Sequence, residues 1–128
     1  LDSYTHSDIS VGSAFYAQDV HAADLDGDGD MDMVSASALD NTIAWYENDG
    51  AENPTWTAAD IVTNATVAMA VYTAEMDGDG DIDILSASAD DDTIAWYEND
   101  GAENPTWAAF DIRTDVDYAH DVKAADMD

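Results

Sequence analysis

A tandem repeat of 51 residues constrains this chain more than any other feature. Thr42 to Trp56 read TIAWYENDGAENPTW, and Thr93 to Trp107 read the same fifteen residues. DGDGD at Asp26 to Asp30 recurs at Asp77 to Asp81, and SASA at Ser35 to Ala38 recurs at Ser86 to Ala89. A third copy starts near the end, where AADLD at Ala22 to Asp26 returns as AADMD at Ala124 to Asp128. About two and a half periods fit into 128 residues. A repeat of this length is one supersecondary unit, which buries its apolar face against its neighbours.

Each period predicts four short strands and little helix, because no stretch sustains a 3.6-residue apolar spacing. The first strand is Asp19 to Ala23, matched by Ala70 to Ala74 and Asp121 to Ala125. The second is Met31 to Ala38, matched by Ile82 to Ala89. The third is Thr42 to Glu47, matched by Thr93 to Glu98, and the fourth is Thr55 to Val62, matched by Thr106 to Arg113. Asn48-Asp49-Gly50 and Asn53-Pro54 supply turn chemistry between the third and fourth. A segment around Asp8 to Val11 reads as a leading fourth strand. Four strands per repeat, rich in Ala and Ser on one side and in Met, Ile, Val and Trp on the other, predict an all-β fold. Its units are tandem four-stranded antiparallel blades of β-propeller type. A tandem β-sandwich or a β-solenoid is the alternative.

The repeat divides the chain into a partial repeat over 1–23, repeats over 24–74 and 75–125, and the start of a truncated third loop at 126–128. Two and a half repeats are marginal alone, and propellers close with about four blades or more. Asp128 falls inside a third acidic loop, so the chain reads as a segment of a longer repeat array. Assembly with neighbouring protomers through strand edges is the second expectation.

Two nine-residue loops carry the chemistry. One runs Asp24-Leu25-Asp26-Gly27-Asp28-Gly29-Asp30-Met31-Asp32, the other Glu75-Met76-Asp77-Gly78-Asp79-Gly80-Asp81-Ile82-Asp83. Five acids in nine residues repel one another unless a cation sits among them. Calcium takes six to eight hard oxygens, which carboxylates and carbonyls supply. Acids at loop positions 1, 3 and 5 point inward, the glycine at position 6 permits a sharp turn, the position-7 carbonyl is a fourth ligand, and position 9 closes the sphere. An EF-hand begins alike but needs an acid at position 12 and flanking helices. Position 12 here is Ser35 or Ser86, and both flanks read as strands.

These loops, one per repeat between two strands, resemble the FG-GAP/VCBS repeats. Those repeats form β-propeller blades in integrin α chains, fungal lectins and secreted bacterial proteins. The resemblance implies Ca²⁺ held by Asp24, Asp26, Asp28, Asp30 (through its carbonyl) and Asp32. It implies a second ion held by Glu75, Asp77, Asp79, Asp81 and Asp83, with Glu75 departing from the usual Asp. Asp126 and Asp128 open a third, incomplete set. The resemblance also implies an extracellular or cell-surface module with a structural or cell-adhesion role.

Charge narrows the partners. There are 30 acidic side chains against two basic ones, Arg113 and Lys123, for a formal net charge of −28. Phosphate binding needs a basic footprint, so nucleic acid is excluded as a direct partner, and docking on anionic lipid is disfavoured. No apolar run reaches membrane-spanning length. Cysteine is absent, which rules out disulfide and zinc-thiolate frameworks. A hydrophobic fraction of 46% argues against acidic disorder.

Catalysis is not expected. No nucleophile elbow, phosphate loop or Cys/His pair is present, and His6, His21 and His120 show no ligand spacing. Asp90 to Asp92 sit in a turn and read as solvated. Trp45, Trp56, Trp96 and Trp107 fit either blade packing or stacking on a glycan, which leaves a carbohydrate-binding lectin as an alternative. An accessory domain of a secreted polysaccharide-degrading enzyme is the third reading. Asn64-Ala65-Thr66 is an N-glycosylation sequon, whereas Pro54 and Pro105 block Asn53 and Asn104.

Overall fold

The computed structural model describes residues 8–9 and 14–127. Two four-stranded sheets stand side by side. The first contains β1 (Ala17–Ala23), β2 (Asp32–Ser37), β3 (Thr42–Asn48) and β4 (Trp56–Val62). The second contains β5 (Ala68–Ala74), β6 (Asp83–Ser88), β7 (Thr93–Asn99) and β8 (Trp107–Arg113). Strand order follows the sequence in both, and every pairing is antiparallel. The fold is all-β, made of blades of the propeller type. Among the described residues no helix is long and apolar enough to cross a membrane.

Sequence explains which strand lies where. β2 and β6 read DMVSAS and DILSAS, and they are buried almost throughout. A strand covered on both faces needs apolar or small residues at every position, not alternation. The small side chains also leave room for rings from the next strand. Ser35 Oγ lies 3.2 Å from the Tyr46 hydroxyl, and Ser86 Oγ lies 3.0 Å from that of Tyr97, both pairs buried. The ladder slips at Ala17/Asp19 and Ile43/Ala44, and again at Ala68/Ala70 and Ile94/Ala95. The bulges thus fall at equivalent places in the two sheets, where a bulge raises the local twist.

The core lies between the sheets. Val34, Ile43 and Trp45 of the first sheet form one buried cluster with Val71, Ile84 and Tyr97 of the second. β5 packs against β1 and β2. Polar bonds cross the same junction: Asp19 accepts the Val71 amide at 3.1 Å, and His21 Nδ1 meets the Thr73 hydroxyl. His21 also packs its ring on Tyr72, with centroids 4.8 Å apart. His120 is exposed, and its Nδ1 lies 3.0 Å from the Tyr118 carbonyl oxygen. His6 lies outside the described residues.

Three expectations need correction. Asp121 to Ala125 repeats the sequence of a first strand but forms no strand. A strand needs a ladder, and no second-strand sequence follows it in these 128 residues to supply one. The segment before it still docks as its counterpart does. Val116 and Tyr118 donate their amides to Asp92, as Ala65 and Val67 donate theirs to Asn41. The second correction follows, since the turn at Asp90 to Asp92 is not simply solvated. Asp91 accepts the Ser88 hydroxyl and the Thr66 amide, while Asp92 anchors the next segment. The third concerns the leading strand expected around Asp8 to Val11, of which only the first two residues are described. Asp8 and Ile9 are not in a strand, and Ser10 and Val11 lie outside the described residues.

Candidate metal centre

Both acidic loops connect the first strand of a sheet to the second, β1 to β2 and β5 to β6. Glycines at positive φ shape the turn, with Gly29 at 96° and Gly80 at 99°. Side chains with a Cβ reach this region only at a cost of about 1–2 kcal/mol. Within the first loop, Asp24 accepts the amides of Gly27 at 2.8 Å and Gly29 at 3.0 Å. Asp26 accepts the Asp28 amide at 3.2 Å, and Asp28 accepts that of Asp30 at 2.8 Å. These local bonds curl the chain so that its carboxylates converge.

One oxygen each from Asp24, Asp26 and Asp28 lies within 4.8 Å of the others. Glu75, Asp77 and Asp79 form the matching group in the second loop. Like charges at such spacing repel by about 1–3 kcal/mol per pair. Burial, with the neighbouring charges of Asp32 and Asp28, pushes the Asp26 carboxyl up to about 6. The chain's two cations do not compensate. Arg113 pairs with Asp115 and Lys123 with Asp121, each within its own segment. Converging hard oxygens with no positive side chain among them fit a divalent cation of the calcium type.

The remaining predicted ligands are placed differently. Asp32 and Asp83 are fully buried and lie outside the three-carboxylate groups. Asp32 accepts the Leu25 amide at 3.0 Å and the Asn48 amide at 2.9 Å. Asp83 accepts those of Met76 at 3.2 Å and Asn99 at 2.8 Å. Burial raises the Asp83 carboxyl, and the Asn99 amide opposes that shift. Asp30 turns its carboxylate toward the β3–β4 turn, where a Cβ on Gly50 would collide with it, and Asp81 lies likewise against Gly101. Asp126 is exposed, and Asp128 lies outside the described residues.

The second loop is not a perfect copy. Among the described residues, Glu75 accepts the Gly78 amide alone, where Asp24 accepts two. The longer side chain shifts the carboxylate relative to the turn. All three members of the second group are exposed, whereas Asp24 and Asp26 are half-buried.

Residues 24–86 match the family model described as an FG-GAP-like repeat. That segment is similar to an FG-GAP-like repeat. The FG-GAP-like match begins at Asp24, the first acid of the first loop, and ends in β6, so it includes both acidic loops whole. No curated protein and no solved structure matches the chain.

The tryptophans divide. Trp45 is buried at 3% exposure and meets Trp107 edge-on across the two sheets, with centroids 6.4 Å apart. That burial leaves no indole face of Trp45 open to solvent. Trp56, Trp96 and Trp107 are half-buried, and Trp96 packs on Phe110 at 5.2 Å. Asn64 is exposed in the bend after β4.

Sequence reasoning missed the asparagines at the strand ends. Asn48 and Asn99 read as turn residues. Yet the Asn48 side chain donates to the Met31 carbonyl at 3.0 Å, and Asn99 donates to that of Ile82 at 2.9 Å. Their identity in both copies of the duplicated fifteen residues was the available signal.

Proposed function

We propose that this chain is a non-enzymatic, calcium-stabilised extracellular repeat module with a structural or adhesive role. Its partners are further repeats of the same kind, in one chain or in a neighbouring protomer. The observation that carries the reading is the convergence of three carboxylates in each of two equivalent loops, inside an FG-GAP-like repeat. Asp24, Asp26 and Asp28 would hold the first ion and Glu75, Asp77 and Asp79 the second. Asp30 and Asp81 add carbonyl oxygens, and Asp32 and Asp83 lie behind the loops as anchors. When bound, the ion supplies positive charge that cancels the repulsion among these carboxylates.

The role of such an ion is a staple. Each loop ties the first strand of a blade to the buried second strand, so an ordered loop fixes the strand pairing. A ligand that binds only the folded state stabilises it by about 2.7 kcal/mol per site at 100 times its dissociation constant. Extracellular calcium modules bind at about 10⁻⁴–10⁻³ M. The test is thermal unfolding in millimolar calcium and in excess chelator. Chelation is expected to lower the melting temperature, and Asp28→Ala to remove most of the first loop's share. An unchanged melting curve would end the calcium reading. A dissociation constant far below micromolar would argue against an extracellular setting.

A further inference from the structure

Asn99 touches both acidic loops. Its side chain is 1% exposed and every polar atom of it is used. One N–H of the amide donates to the Leu25 carbonyl at 2.7 Å, across the junction between the sheets. The other donates to the Ile82 carbonyl at 2.9 Å. Its Oδ1 accepts the Gly101 amide at 3.0 Å, and its own backbone amide donates to Asp83 at 2.8 Å. A primary amide has two donors, so this side chain is saturated by one carbonyl from each loop.

Each carbonyl sits among the acids. Leu25 lies between Asp24 and Asp26, two of the converging carboxylates of the first loop. Its amide is held by Asp32 at 3.0 Å, and its side chain is buried in the core shared by the two sheets. Ile82 lies between Asp81 and Asp83 in the second loop. The two loops also face each other across a cleft of about 400 Å³, lined by Asp24, Leu25 and Met31 on one side and Gly80, Asp81 and Ile82 on the other. Among the described residues the side-chain amide of Asn48, the equivalent residue in the first sheet, donates to Met31 of its own loop and to no second loop.

Resting on the calcium reading, we infer that the two loops bind their cations cooperatively and that Asn99 is the residue that couples them. Ordering of the second loop around its cation would fix Ile82 and Asp83, and with them the Asn99 side chain. The fixed amide then holds the Leu25 carbonyl and presets the spacing of Asp24 and Asp26. Linkage makes the effect reciprocal, so an ion in the first loop favours the second equally. Repulsion between the two ions opposes this, but at 0.15 M ionic strength it is screened beyond about 8 Å.

Calorimetric titration of the whole chain with calcium, at that ionic strength, tests the inference. Asp79→Ala, which removes a ligand oxygen, leaves only the first loop competent and gives its affinity alone, and Asp28→Ala gives that of the second. The product of the two, compared with the overall constant of the unaltered protein, yields the coupling factor. A factor of about 5 or more is expected. It should fall toward 1 in Asn99→Ala and survive in Asn48→Ala. If Asn99→Ala does not fold, Asn99→Asp keeps the size and the acceptor for Gly101 while removing both donors. A factor of 1 in the unaltered protein, or one that Asn99 variants leave intact, overturns the inference while the calcium reading stands. Absence of calcium binding in every variant overturns both.

Discussion

The carboxylate of Asp32 accepts the backbone amide of Asn48 at 2.9 Å, fastening the acidic loop to the far end of β3. Its other oxygen holds the Leu25 amide at 3.0 Å. Asp32 is fully buried, so its carboxylate does not exchange these amides for bulk water. Leaving a buried donor unpaired costs about 1–3 kcal/mol. Asp32→Ala is therefore expected to lose about 2–5 kcal/mol in urea unfolding with chelator present. Asp30→Ala, which withdraws a carboxylate from the β3–β4 turn, is the comparison. Equal losses in the two variants would show that Asp32 does not anchor the loop.

Gly50 has φ at 70°, and a Cβ there would strike the Asp30 carboxylate. Gly27 has φ at 77° with open space around it. Gly27→Ala is expected to cost only the left-handed penalty of about 1–2 kcal/mol. Gly50→Ala should cost more, because Asp30 must also move. The excess should disappear when both proteins carry Asp30→Ala, as a double-mutant cycle reads directly. A persisting excess would mean that the turn itself, not Asp30, resists the methyl group.

Much of this was legible from the period alone. All eight strands fall within two residues of the segments marked by the repeat, and burial on both faces accounts for the Ser, Ala, Ile and Val runs of β2 and β6. The convergence of the acids was legible too, since position in a tight turn dictates where short side chains point. Pairing was not. Asp121 to Ala125 has the sequence of a first strand and no ladder, because a strand depends on its neighbour as well as on itself. Asn48 and Asn99 are identical in sequence context, yet among the described residues Asn99 alone bonds to the loop of the preceding sheet. Asp32 also holds two backbone amides, a role that its place in the acidic pattern did not disclose. Contacts between successive copies are what a linear repeat hides.

Glu75 stands where the first loop has Asp24, and it loses one of the two amide contacts. Carboxylate position and loop rigidity set calcium affinity in such turns. Glu75→Asp should restore the first loop's geometry and tighten the second loop by about 1 kcal/mol, roughly fivefold. The measurement is a calcium titration in an Asp28→Ala background, where only the second loop binds. A weaker second loop in Glu75→Asp would show that the longer side chain improves the site.

Acid should loosen the β3–β4 and β7–β8 turns. Asp49 accepts the Thr55 hydroxyl and the amides of Ala51 and Thr55, and Asp100 does the same with Thr106 and Ala102. The Thr55 hydroxyl, then these amides, hold the Asp49 carboxyl below its ordinary value of 3.8, and Thr106 and its neighbours do so for Asp100. A folded value below the unfolded one means that the ionised group favours the fold. The contribution is present above about pH 4 and is lost as pH falls through the folded value. Thr55→Val with Thr106→Val removes the leading cause of both shifts. Melting temperatures in chelator between pH 5 and 2.5 should fall less steeply with acid in this double variant than in the unaltered protein. Parallel curves would show that the two turns do not contribute to acid sensitivity.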